Sequence, residues 1–372
     1  MKIGVFGGTF NPPHLTHLNI ANAAVAQLNL DKLLVFPCGD PPHKICSESA
    51  AHRLDMTRLA FADVAHAEVD AFEIDRQGKS YTLDTLRYVR EKYPSAQLFL
   101  IIGGDSLRDL DGWHCPDEIC RIAVLAVACR KDVEKQKSAR RAKEKYGAEI
   151  VFLDVEPDDA SSTEIRLKRQ FNLPITEVSP SVLKYIYSNN LYGQYRSMTL
   201  KLQGYLKKPR FSHTFYVTLK GLELPRKQCT EQQVFTACAL HDCAKYIGSD
   251  RYADYGFVNT DNQPLSVVHA FLGAEVAQKD FGITDQTVLD AIRFHTTARP
   301  KMTELDMIVY IADKTEKSRP YPTEHLFAYT LEQTFLNVMK EAYQVCKDRK
   351  MQISPLTQEA IDYYEKLFKE KI

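Results

Sequence analysis

The sequence predicts an α/β half built on a parallel sheet with helices on both faces, followed by an all-α half. Three observations carry this. Apolar runs without polar alternation are separated by amphipathic segments through the first half, the mark of strands buried on both faces. Beyond Asn190 to Gly193 the strand signal largely disappears and long helical patterns take over. At 372 residues the chain also exceeds one ordinary core, given about one domain per 150 residues.

Taken in order, Ile3 to Phe6, Leu33 to Phe36, Leu98 to Ile102, Ile122 to Ala128 and Ile150 to Leu153 read as strands. Thr16 to Leu28, Ala50 to Val64, Thr82 to Tyr93 and Val133 to Tyr146 read as the helices between them. A last helix of this half follows Ser179, with Pro180 at its first position. The predicted boundary places one domain at 1–193 and a second at 194–372. In the second, Ser197 to Leu206, Glu231 to Ile247, Val267 to Phe281, Asp285 to His295 and Leu305 to Lys314 read as helices. Thr330 to Cys346 and Thr357 to Lys371 read as packing helices at the end.

Forty-eight basic residues balance 48 acidic ones, so no overall field is available to hold nucleic acid or an anionic membrane. No window approaches the roughly 20 apolar residues of a membrane span, and the N-terminus reads as a core strand and not as a signal segment. The expectation is a cytoplasmic protein with no nucleic-acid or membrane partner. The nine cysteines are scattered without CxxC. Cys38, Cys129, Cys238 and Cys243 sit in apolar runs, where the residue acts as a small hydrophobe, so a cysteine metal site is not expected.

Five motifs fall at the predicted carboxyl ends of strands, where open parallel sheets bind ligands. Gly7, Gly8, Thr9 and Phe10 follow the first strand, and His14 and His17 enter the next helix on one face. Glycines there let the backbone approach a phosphate, and the helix start offers free N–H groups. The spacing is neither GxGxxG nor that of a P-loop, which disfavours a dinucleotide redox cofactor or a Walker-type ATPase. Pro37 to Lys44 form a loop whose Lys44 can point charge into the cleft. Ser80-Tyr81-Thr82, with Asp84 and Thr85, lead into a helix, and Thr82 is either its cap or a ligand contact. Gly103-Gly104-Asp105 and Trp113-His114 follow a strand; Trp113 either packs in the core or stacks on a flat ring. Ser161 to Arg166 read both as a capping box and as a phosphate grip, hydroxyls at a helix start followed by an Arg one turn on.

Together these residues resemble one family. GGTFNPPHLTH is similar to the signature of the nucleotidyltransferase superfamily, a Rossmann-like fold. PxxxPPHK, SYTxDT, IIGGD…W and SSTEIR resemble bacterial nicotinate-nucleotide adenylyltransferase, over Met1 to about Gly193. The resemblance implies transfer of AMP from ATP to nicotinate mononucleotide, giving deamido-NAD and pyrophosphate, with Mg²⁺ accompanying ATP. It implies that His14, His17 and Lys44 stabilise charge at the α-phosphate while Ser162, Thr163 and Arg166 hold the leaving pyrophosphate. Gly7, Gly8, Thr9, Phe10, Gly103 and Asp105 would line the nucleotide site. Trp113 would stack on the pyridine ring and Thr82 would help to hold its carboxylate. The family's second motif usually reads HxGH, and Thr16 here replaces the Gly. A Cβ at that point crowds the nucleotide, so ATP affinity is the property affected.

In the second half, His213, His241, His269 and His295 join Asp242 and Asp313 on separate helical segments, and His241-Asp242 interrupts an otherwise apolar helix. Buried imidazoles and carboxylates are costly unless paired or bound to metal, and six such groups in one domain point to a cation. The order His213, His241-Asp242, Asp313 resembles the HD superfamily of metal-dependent phosphohydrolases. LHDCAKYI, VVHAFLGAEVA, FHTTARPKM and YIADKTEKSRPY resemble the bacterial HD-domain symmetrical diadenosine tetraphosphatases, from about Arg210 to Tyr321. The resemblance implies one or two transition-metal ions, typically iron, with diadenosine tetraphosphate cleaved to two ADP and Asp242 at the catalytic centre. Ala298 departs from the family's usual Gly after HTT, with an effect expected on substrate fit. Lys245 and Arg319 are phosphate contacts or solvated charges.

Two rival readings remain open on sequence alone. The second half can be a sensor that binds adenine dinucleotides without cleaving them, and the transferase can prefer nicotinamide mononucleotide. A phosphopantetheine transferase of the same superfamily is disfavoured by SYTxDT and Trp113. A homo-oligomer is left open.

Overall fold

The computed structural model describes residues 1–41, 46–128, 133–155, 160–259 and 263–369. Lys44 and Cys129 lie outside the described residues. The chain divides into two compact units, Met1–Arg169 with Leu173–Gln194, and Gln170–Asn172 with Tyr195–Ile372.

The first unit is a parallel sheet of six strands among the described residues: β1 (Lys2–Gly8), β2 (Lys32–Pro37), β3 (Ala67–Val69), β4 (Gln97–Gly103), β5 (Val124–Ala128) and β6 (Ile150–Leu153). Their spatial order is β3-β2-β1-β4-β5-β6, the doubly wound arrangement whose switch point lies between β1 and β4. Why these strands lack polar alternation is visible in their packing. Leu33 and Val35 of β2 enter one core and Leu34 and Phe36 the other, while Phe99 and Ile101 of β4 face opposite to Leu98, Leu100 and Ile102. Successive residues leave opposite faces of a strand, so two apolar layers require an unbroken apolar run.

Helices Leu15–Leu28, Ala50–Phe61, Thr82–Lys92 and Val133–Tyr146 occupy the expected segments. Ser179 caps Pro180–Ser188, accepting the N–H of Val182. Two differences have local causes. The edge strand β3 is three residues long, Ala-Glu-Val, too short for a period to show. β5 begins at Val124, because Ile122 ends the short helix Pro116–Ile122.

The second unit is helical among its described residues: Arg196–Gln203, Lys208–Glu223, Glu231–Leu240, Leu265–Phe281, Gln286–Phe294, Glu304–Thr315, Leu331–Asp348 and Pro355–Lys369, with short 3₁₀ turns. Lys208–Glu223 carries no clean apolar stripe in sequence because its buried face mixes Phe211, Phe215, Val217 and Leu219 with His213, Thr214 and Thr218. The helix expected over Glu231 to Ile247 stops at Leu240, and His241 is its capping residue, so His241-Asp242 ends a helix and does not interrupt one. Among the described residues no helix is long and apolar enough to cross a membrane.

Gly39 marks the tightest approach in the first unit. A Cβ there would lie 2.0 Å from the carbonyl oxygen of Glu73, so the loop after β2 rests on the backbone of the short helix Phe72–Asp75. Overpacking of this kind costs about 1–3 kcal/mol. Gly39→Ala is expected to lower the urea midpoint of the first unit by a corresponding amount, and an unchanged midpoint would show that the contact is not needed.

Candidate active sites

In the first unit the motifs gather at the carboxyl ends of the strands. β1 ends in Gly7-Gly8. A Cβ on Gly8 would meet the ring of Phe10 at 2.8 Å, whereas one on Gly7 would meet nothing within 4 Å. Phe10 is buried and takes a positive φ of 48°, turning the chain toward the helix Leu15–Leu28. Its ring lies edge-on to that of His17, with centroids 5.0 Å apart.

His14 and His17 are brought together, their ring centroids 3.8 Å apart. The backbone N–H of His14 donates to Nδ1 of His17 at 3.1 Å. An Nδ1 that accepts leaves the proton on Nε2, so the neutral ring is a donor there. Burial, and then the neighbouring His14, hold the His17 imidazole well below its ordinary pKa. Thr16 lies between the two, its Oγ1 buried without a hydrogen-bond partner.

The loop after Phe10 receives the fifth motif, Ser161 to Arg166. Ser162 donates to the carbonyl of Pro12 at 3.0 Å, and Arg166 donates to the carbonyl of Asn11 at 2.8 Å and to Thr163 Oγ1 at 3.3 Å. The cap of the helix Ser162–Gln170 is supplied by Ser161, whose Oγ accepts the N–H of Glu164 at 3.1 Å, leaving Ser162 for the loop.

The other motifs form a second group. Tyr81 precedes the helix Thr82–Lys92, so Thr82 is its first residue and not its cap. The Tyr81 ring lies 4.7 Å from that of His114, which brings the Thr82 and Trp113 segments side by side. Trp113 is half-buried and packs partly against the core. Thr85 donates to the buried Glu73 at 2.6 Å and Asp84 pairs with Arg76 at 2.8 Å, both structural roles. Gly103 ends β4 and its Cβ would also meet nothing within 4 Å, while Asp105 is exposed and pairs with Arg108 at 3.0 Å.

Sequence reasoning missed Arg53. This buried guanidinium, on the helix Ala50–Phe61, donates to the carbonyls of Thr9 at 3.0 Å and Gly39 at 2.9 Å, and also to that of Cys38. It ties the loop after β1 to the loop after β2. An Arg inside an otherwise amphipathic helix carries no mark of this in sequence.

In the second unit all six predicted ligands converge. The ligand atoms of His213, His241 and Asp313 lie within 4.8 Å of one another, as do those of His241, Asp242 and His295. His269 reaches the same Asp242 through Nε2, 3.1 Å from Oδ1. His241 and His295 each follow the last turn of a helix, and each Nδ1 lies on a carbonyl three residues earlier, Cys238 at 2.7 Å and Ile292 at 2.8 Å. A carbonyl only accepts, so Nδ1 carries the proton and Nε2 presents its lone pair inward. Nε2 of His241 is buried with no hydrogen-bond partner. A buried lone pair facing carboxylates is what a cation satisfies, so the donor set fits a metal ion.

The electrostatics agree. Burial opposes ionisation of Asp242, but His241, with His269 and His295, holds it well below the usual carboxylate range. For Asp313 burial is likewise outweighed, by Lys314, His213 and His241. Burial, then His241, pushes His295 well below its ordinary value, which favours the neutral ring that a metal needs.

Cations surround the cluster. Arg210 lies 2.9 Å from Asp242 Oδ2, and Lys245 lies 3.1 Å from His269 Nε2. Arg319 donates to Asp313 Oδ1 at 2.7 Å, and Lys314 to the carbonyl of His295 at 2.8 Å. Arg210, Lys314 and Glu316 were not singled out in sequence; for Glu316, the signal was its position three residues after Asp313. Ala298 takes a positive φ of 59°, so a glycine preference at this position has a backbone cause as well.

Comparison with known proteins follows this division. Residues 5–168 match the Cytidylyltransferase-like family and residues 210–318 match the HD domain. A probable nicotinate-nucleotide adenylyltransferase of Albidiferax ferrireducens is 38% identical over 193 residues, covering 51% of this chain and 98% of the relative. One of a Synechococcus species is 40% identical over 195 residues, 51% of this chain and 94% of the relative. A probable nicotinate-nucleotide adenylyltransferase/Ap4A hydrolase of Mycoplasma genitalium is 29% identical over 326 residues, 86% of this chain and 88% of the relative. The chain therefore belongs, through its first unit, to the nicotinate-nucleotide adenylyltransferase family, and its second unit carries an HD domain.

Proposed function

We propose that the protein is a bifunctional enzyme. Its first unit transfers AMP from ATP to nicotinate mononucleotide, and its second hydrolyses diadenosine tetraphosphate to ADP. The His14–His17 pair at the switch-point edge of the sheet supports the first activity, and the inward Nε2 of His241 supports the second.

In the transferase, the 5′-phosphate of the mononucleotide attacks the α-phosphorus of ATP, and no covalent enzyme intermediate is needed. Two imidazoles this close do not both carry charge comfortably, so His17 acts as a neutral donor through Nε2, with His14 beside it, where negative charge grows on the α-phosphate. The resemblance assigns Lys44, outside the described residues, to the same negative charge. Arg166 and Ser162 turn from the loop carbonyls they hold, and Thr163 from Arg166, to the departing pyrophosphate, which Mg²⁺ accompanies. Gly7, Gly8, Thr9, Phe10, Gly103 and Asp105 line the nucleotide site. Trp113 and Thr82, on segments that meet through Tyr81 and His114, take the pyridine ring and its carboxylate.

In the hydrolase, His213, His241, Asp242, His269, His295 and Asp313 hold the metal. A set of nitrogen and oxygen donors without thiolate suits Fe, Mn, Co or Zn, and iron is the metal proposed. When bound, it supplies Lewis-acid polarisation of the phosphates and activation of water. Arg210, Lys245 and Arg319 neutralise the polyphosphate chain.

Three outcomes are expected. His17→Ala abolishes adenylyl transfer while the circular dichroism of the protein is unchanged; activity within a few-fold of the parent would refute the assignment. In paired assays with ATP, nicotinate mononucleotide is used in preference to nicotinamide mononucleotide, and the reverse order would overturn the substrate assignment. Metal-loaded protein converts diadenosine tetraphosphate to ADP, and Asp242→Ala, or a chelator, abolishes this. Binding of the dinucleotide without ADP release would make the second unit a sensor.

A further inference from the structure

The three buried imidazoles of the second unit are oriented in two different ways. His241 and His295 sit at helix ends, where the last carbonyls have no partner within the helix, and each Nδ1 uses one of them. His213 lies inside the helix Lys208–Glu223, where the carbonyls around it are engaged in the helix ladder. Its Nδ1 turns instead to Glu316, with Oε1 at 3.0 Å.

Glu316 is itself held. It is 2% exposed, Oε1 accepts Ser318 Oγ at 2.7 Å and Oε2 accepts the N–H of Ser318 at 2.6 Å. Arg319 lies 3.6 Å from Oε1 and also donates to Asp313 Oδ1 at 2.7 Å. The other ring nitrogen of His213 faces Asp313 Oδ1 at 3.1 Å. Glu316 therefore sets which nitrogen of His213 carries the proton, and directs the other nitrogen to the carboxylate it shares with His241 in the His213–His241–Asp313 group.

We propose that Glu316 is a positioning residue for the metal centre: it sets the tautomer and orientation of His213 and thereby the affinity of the His213–His241–Asp313 group for a divalent cation. The inference rests on the metal reading of this site. A carboxylate partner raises the basicity of a ligating imidazole, and losing such a partner lowers metal affinity roughly 10–100-fold. A neutral acceptor restores orientation but not the charge.

The test is Mn²⁺ titration of the full-length, metal-stripped protein, with free Mn²⁺ read by electron paramagnetic resonance, beside urea unfolding of the metal-free protein. Glu316→Leu is expected to weaken the tightest site on the order of 100-fold and Glu316→Gln on the order of 10-fold, with the metal-free midpoint of Glu316→Gln unchanged. Ser318→Ala, which removes one bond to Glu316, is expected to weaken the site a few-fold and serves if Glu316→Leu does not fold. Affinity unchanged in Glu316→Gln and Ser318→Ala overturns the proposal, as does a fall in affinity matched by a fall in the metal-free midpoint, which marks a purely structural role. Absence of Mn²⁺ binding by the parent overturns the metal reading itself, and the proposal with it.

Discussion

Backbone N–H and C=O groups that leave a helix or strand must find partners, and in both units side chains of the candidate sites are among those that meet this demand. In the first unit Arg53 takes the carbonyls of Thr9, Cys38 and Gly39, Arg166 and Ser162 take those of Asn11 and Pro12, and His17 takes the N–H of His14. In the second, His241 and His295 take the carbonyls of Cys238 and Ile292. The groups proposed to carry chemistry are thus held in place by the irregular backbone beside them. The cost of irregular backbone and the need for a fixed site are met by the same bonds.

The two units solve the problem of burial differently. At the edge of the sheet, His17 stays neutral because burial and its neighbour oppose a charge, and so works as a hydrogen-bond donor. Inside the helical unit, Asp242 and Asp313 stay charged in spite of burial, because imidazoles and cations crowd around them. A neutral donor suits negative charge that develops in a reaction, as proposed for the first unit. The second unit keeps negative charge permanently, as a metal centre does.

Much of this was legible in the chain. The unbroken apolar runs of β2 and β4 announced strands covered on both faces, and Ser179-Pro180 announced the start of a helix. The strand-end motifs and the six histidine and aspartate positions of the second unit stood out because glycine turns, paired imidazoles and buried polar groups are uncommon in those settings. Less legible were β3, too short to show a period, and the helix Lys208–Glu223, whose buried threonines and His213 blur its apolar stripe. The end of the helix at Leu240 was also hidden, since Cys243 and Ala244 continue the apolar pattern through a buried turn.

By itself the sequence determined the elements, their class and the kinds of chemistry available, because periodicity and local motif are properties of neighbouring residues. Only the tertiary structure decided the partners. Arg53 meets the carbonyl of Thr9 across 44 positions, His213 meets Glu316 across 103, and Arg166 meets the carbonyl of Asn11 across 155. Such pairings depend on where packing places whole helices and strands, and nothing in the local pattern of either partner names the other.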